Sequence, residues 1–139
     1  MKKLMSALVA SICLSASFQA SAEVAVIVAA DSGATASPSE ISRIFLGKLK
    51  KFGDGSRVEV VYAKEGSATR SEFDKKALGK SPSQIKAYWS KLLFSGKGSP
   101  PKELASDAEI KAKVAAGGGV VGYIDASAVD GTVKVIGTY

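Results

Sequence analysis

The sequence predicts an α/β domain, a mixed and partly parallel sheet flanked by helices. Three observations lead there. "VAVIVAA" (24–30) is a continuous apolar, β-branched run of the kind buried on both faces of a sheet. Two stretches, "SPSE" (37–40) and "SPSQ" (81–84), pair a capping serine with a proline and a side chain that closes a capping box. Strand-like and helix-like segments then succeed one another in the order β-α-β-α-α-α-β-β, as they do when parallel strands are joined by helical crossovers.

After the first strand, "DSGATA" breaks the apolar run, and Ser37, Pro38 and Glu40 start a helix. Ile41, Ile44 and Phe45 form its apolar stripe, and Gly47 is placed to end it. "KLKKFGDGS" is a basic, turn-rich connector to a second strand, "RVEVVY" (57–62). In "YAKEGSATRSEF" (62–73) the strand stops and another helix begins, continued by Phe73, Ala77 and Leu78 and stopped by Gly79. Ile85, Tyr88, Trp89 and Leu92 follow at the i, i+3, i+4, i+7 spacing of an amphipathic helix, which makes Trp89 a core residue. "SGKGSPP" (95–101) reads as a loop, and "SDAE" (106–109) caps a helix carrying Ile110 and Val114 that gives out in "GGG" (117–119). "VVGYID" (120–125) and "VKVIGT" (133–138) are the closing strands.

The first 22 residues are expected to lie outside this domain. Met1-Lys2-Lys3, an apolar stretch from Leu4 to about Phe18, and Ala20-Ser21-Ala22 have the layout of a cleaved secretory signal. Cleavage before Glu23 would leave residues 23–139 as a single periplasmic domain and lower the formal charge from +6 to +4. It would also remove Cys13, the one cysteine, and the chain has no histidine. Thiolate or histidine metal sites, cysteine nucleophiles and the Ser-His-Asp triad are thereby excluded, and no sequence-local carboxylate pair offers acid–base chemistry. The expectation is a protein that is not an enzyme and needs no cofactor. A modest positive balance suits a small anion or an acidic partner, and nothing resembles a nucleic-acid motif.

Two glycine-rich matches fail on context. "GGGVVG" (117–122) fits G-x-G-x-x-G, but a helix precedes it and a strand follows, the reverse of a dinucleotide site. "SGKGS" (95–99) lacks the hydroxyl after lysine and the preceding strand of a P-loop. Lys48, Lys50 and Lys51 read as a solvated face. The stretch after Tyr62 is different. A helix N-terminus at the C-terminal edge of a strand offers free N–H groups and the positive end of a dipole. Gly66 permits close backbone approach, Ser67 and Thr69 add hydroxyls, and Arg70 can supply a guanidinium. The same residues also fit a plain helix start, with Ser67 as cap and Arg70 facing solvent.

The segment "LGKLKKFGDGSRVEVVYAKEGSATRSEF" resembles the periplasmic phosphate-binding proteins of ABC transporters. Their "IF-x-G-K" helix end stands here as Ile44-Phe45-Leu46-Gly47-Lys48, and their "G-S-G-T" anion loop as Gly66-Ser67-Ala68-Thr69. "VVGYID" is similar to a later "GAIGYV" strand of that family. The resemblance implies one lobe of a type 2 periplasmic binding protein, with phosphate or a related oxyanion bound by Glu65, Gly66, Ser67, Ala68, Thr69 and Arg70. Glu65 would accept the proton of hydrogen phosphate. The family's phosphate-pairing arginine falls at Ala63, so Lys64 or Arg70 would have to substitute. Family members close two lobes over the ligand, so weak binding is expected unless a second copy, a membrane transporter or another envelope protein completes the cleft. The alternative is a structural or adaptor protein of the cell envelope that keeps the fold without tight anion binding.

Overall fold

The computed structural model describes residues 23–139, and the expected signal peptide (1–22) lies outside the described residues. Five strands form one sheet: β1 (Val24–Ala29), β2 (Glu59–Ala63), β3 (Lys102–Leu104), β4 (Val120–Asp125) and β5 (Val133–Thr138). Four helices accompany them: α1 (Pro38–Phe45), α2 (Ala68–Ala77), α3 (Pro82–Phe94) and α4 (Asp107–Ala115). The sheet order is β3-β2-β4-β1-β5. β2 runs parallel to both β3 and β4, whereas β1 is antiparallel to β4 and β5. The expected mixed sheet is therefore present.

The strand missing from the sequence reading is β3. Its three residues pair Lys102, Glu103 and Leu104 with Val61, Tyr62 and Ala63, inside what reads as the exit from a loop. No alternation of polar and apolar residues can show in so short an edge strand. The second strand also starts later than expected, because Arg57 makes only an isolated bridge to Lys51. α3 continues past Leu92 to Phe94.

All six residues of β1 are buried, as a strand covered on both faces requires. On one face, Ile110 and Val114 of α4 lie over Val61 and Gly122. The helix comes so near that a Cβ on Gly122 would stand 2.8 Å from Ile110 Cγ2 and 2.9 Å from Val61 Cγ2. The other face is aromatic: Tyr123 stacks on Phe73 of α2 with ring centroids 3.9 Å apart, and Phe45 of α1 tilts against Tyr123 at 5.7 Å. Several polar tips of this cluster find partners, although the buried Tyr139 hydroxyl has none. Tyr62 donates to the carbonyl of Phe45, and Trp89 Nε1 donates to the Tyr62 hydroxyl at 3.3 Å. Tyr88 donates to the carbonyl of Leu46 at 2.6 Å, so two tyrosines cap carbonyls that the end of α1 leaves over. Trp89 is a core residue, 6 % exposed.

The helix starts follow the sequence closely. Ser37 and Ser81 each accept from the residue three places on, and Glu40 and Gln84 return a bond to the serine N–H, completing both capping boxes.

Candidate functional site

Parallel strand β2 ends at Ala63 and delivers the chain to the stretch of interest. Lys64 N–H donates to Leu104 O at 3.0 Å, which fastens the start of the loop to β3. Ser67 N–H then closes a turn onto Lys64 O at 3.1 Å, with Gly66 at its third position and φ +87°. A Cβ at Gly66 would meet nothing within 4 Å. The glycine thus serves the positive φ of the turn, and the space beside it is open.

Ser67 is the N-cap of α2, with φ −72° and ψ 147°. Its hydroxyl accepts from Arg70 N–H at 3.2 Å and its carbonyl from Ser71 N–H at 3.1 Å. Of the four N–H groups a helix start leaves over, those of Ala68 and Thr69 therefore lack an intrahelical acceptor. Ala68 is the first helical residue, so its Cβ places no strain on the loop. Thr69 is half-buried beside it. Glu65 is exposed and pairs with Lys86 Nζ at 3.6 Å across to α3. Lys64 is exposed.

Arg70 is turned inward. It is 6 % exposed, so it does not face solvent, and its guanidinium lies over the Tyr62 ring, 5.2 Å from the centroid. Nη1 donates to the Glu103 carboxylate and to Ala63 O at 3.4 Å. Nε stands 3.7 Å from Asp74 Oδ2, one turn along α2, without forming a hydrogen bond. Asp74 is fully buried, and neither of its carboxyl oxygens has a hydrogen-bond partner. Burial pushes its pKa up to about 6, although the Arg70 charge opposes the rise.

Between α3 and the segment 100–103 a cavity of about 330 Å³ opens. Tyr62, Arg70, Trp89, Leu93, Pro101 and Glu103 line it, with Glu65 and Lys86 also on its wall. The six expected site residues are thus divided. Glu65 and Arg70 line the cavity, whereas Gly66, Ser67, Ala68 and Thr69 form the helix start and are not among its walls. Two functional partners escaped the sequence reading. Asp74 was visible as an i+4 neighbour of Arg70; Glu103 carried no signal, since only the unrecognised β3 brings it there. Among the described residues, no group of three or more acidic, histidine or cysteine side chains could hold a metal ion.

No protein-family model matches this chain, and no curated protein does. Solved structures do. A phosphate ABC transporter substrate-binding protein with bound phosphate from Clostridium perfringens superposes with a TM-score of 0.65 at 20% identity, over 83% of this chain and 45% of that one. An ABC-type phosphate transport receptor from Vibrio cholerae gives 0.62 at 20% identity, over 83% and 46%. This is the fold of one lobe of a type 2 periplasmic binding protein. PstS from Borrelia burgdorferi, at 11% identity, matches with a TM-score of 0.59, over 83% and 47%. The lobe spans less than half the length of each of these structures, and the identities are those of a shared fold.

Proposed function

We propose that this lobe is an exported, non-catalytic binding module that holds phosphate or a related oxyanion at the start of α2. The observation that carries the reading is the pair of N–H groups at Ala68 and Thr69, left without intrahelical acceptors at the C-terminal edge of a parallel strand. The Ser67 and Thr69 hydroxyls complete the donor set, and the Gly66 turn presents it. Glu65 accepts the proton of hydrogen phosphate and disfavours sulfate. Arg70 adds positive field from beneath rather than a direct fork, since its Nη1 is engaged by Glu103. Half a cleft leaves the anion hydrated, so binding is weak until a second copy, a membrane transporter or another protein of the periplasm closes over it.

Binding to the native state stabilises by RT ln(1 + [L]/Kd), about 2.7 kcal/mol at a hundredfold excess. Thermal melts in phosphate are expected to exceed those in sulfate and chloride at matched ionic strength. Ser67→Asp keeps the cap while placing a negative charge against the guest. That variant should melt like the parent in chloride and lose the phosphate-specific increment; an increment that persists would put the anion elsewhere.

A second reading is a structural adaptor of the cell envelope. It is favoured by one observation, that the Arg70 guanidinium already has a carboxylate of its own chain. A phosphate melt no higher than the chloride control would select it.

A further inference from the structure

We propose that the cavity between α3 and the Pro100–Glu103 segment binds a small amphipathic monocarboxylate. The ligand's carboxylate takes the place of Glu103 on the Arg70 guanidinium, and its apolar body lies against Trp89, Leu93 and Pro101. This site lies in the cavity rather than at the start of α2, with Glu65 and Arg70 bordering both, and phosphate binding is not needed for it.

The first argument is the state of Arg70. Arg70 is 6 % exposed, and a buried guanidinium needs acceptors that this one lacks at Nε. Nε has no hydrogen bond, and the nearby Asp74 is too far to give one. The recorded carboxylate contact is single-pronged, from Nη1 to one oxygen of Glu103. A planar guanidinium is matched best by a carboxylate that engages it on two prongs.

The second argument is the state of Glu103. Its side chain remains 44 % exposed, on a three-residue strand at the edge of the sheet. The Glu103 carboxylate itself is easily rehydrated, but the buried Arg70 then needs another carboxylate in its place. Glu103 is therefore a tethered stand-in: a carboxylate lining the same cavity that fills the acceptor position until a free one displaces it.

The third argument concerns the remaining wall. Leu93 is 57 % exposed at the cavity, beside the indole of Trp89 and the ring of Pro101. An apolar wall opposite one buried cation is the arrangement that recognises a hydrocarbon body with one charged end. The volume of about 330 Å³ lies at the small end of the ~300–1,000 Å³ usual for ligand sites, so the ligand is small. Glu65 on the same wall is offset by Lys86, but Glu103 is not, which disfavours a second unprotonated charge on the ligand. A single negative charge fits; a doubly charged phosphate fits less well.

Trp89 is the only tryptophan of the chain and it lines the cavity, so its emission reports occupancy directly. Titration of the full chain with phenylacetate should change that emission saturably, and 2-phenylethanol, which has the same ring without the carboxylate, should not. Glu103→Gln removes the stand-in's charge at a half-exposed position and should lower the phenylacetate Kd at least about tenfold. Leu93→Glu, also at an exposed position, should abolish the response while leaving the thermal melt unchanged. A Glu103→Gln protein that binds no more tightly than the parent would overturn the assignment and make the Arg70–Glu103 pair a simple fastener of β3. Absence of any saturable change in both proteins would overturn it too. So would displacement of phenylacetate by phosphate at equal ionic strength, because the two sites would then be one.

Discussion

Asp74 carries the sharpest consequence at the level of single side chains. Its carboxyl group lies between the Arg70 guanidinium on its own helix and the hydroxyls of Tyr62 and Tyr123 on the sheet, with no hydrogen bond to either oxygen. With the folded pKa near 6 against an ordinary 3.8, the native state holds the proton more tightly than the unfolded chain does. Stability from this group is therefore greatest below about pH 4, falls as pH rises from 4 to 6, and stays low above that. The difference is worth roughly 3 kcal/mol at most, since one pH unit corresponds to about 1.36 kcal/mol. Asp74→Asn, which keeps the shape and drops the charge, is expected to flatten the urea-unfolding free energy between pH 4 and 6. It should equal or exceed the parent's stability at pH 7.5. A parent protein whose stability rises through that window would show Asp74 to be well paired. The sequence could place Asp74 one turn from Arg70, but not beneath the aromatic layer. α2 shows Phe73 as its only large apolar side chain, so no hydrophobic stripe marks its buried face. The Ser67 cap was readable because cap chemistry is local; the pairing of Arg70 was not, because its partner comes from a strand with no periodicity.

Among the elements, two glycines in the strands that flank β1 make a controlled comparison. An alanine at Gly122 would press its Cβ to 2.8 Å from Ile110 Cγ2, 2.9 Å from Val61 Cγ2 and 3.4 Å from Val114 Cγ2. All three are β-branched methyls held by stiff χ1 torsions, two of them on a helix. An alanine at Gly137 would meet Ile41 Cδ1 at 2.7 Å, but that atom is the far end of a side chain that can turn aside. Gly122→Ala should therefore cost about 1–3 kcal/mol by forcing α4 off the sheet, and Gly137→Ala clearly less. Equal losses in urea midpoint would mean that α4 yields as readily as a methyl rotates. The element order shows the same contrast between local and distant causes. Both Ser-Pro helix starts, the apolar run of β1 and the terminal strands were legible because capping and burial write themselves into adjacent residues. β3 was not, since three residues following two prolines become a strand only through the partner offered by β2.

For the molecule as a whole, the lobe fold accounts for most surfaces and leaves one conspicuous exception. Phe94, at the end of α3, is 95 % exposed next to the cavity wall at Leu93. A side chain left almost wholly in water contributes little to stability, so Phe94→Ser should shift the unfolding free energy by less than about 0.5 kcal/mol. A larger loss that grows with protein concentration would mean that another copy covers this ring in solution.

The pairing of β1 has a consequence in time. β1 is hydrogen-bonded on both sides by β4 and β5, and Val24 exchanges paired backbone bonds with Tyr139 at the far end of the described chain. Contacts so distant in sequence form late in folding. During synthesis the wholly apolar β1 emerges before β4 and β5 and cannot complete its pairing until both have been translated. Throughout that interval it offers a sticky segment that a holding chaperone can grasp.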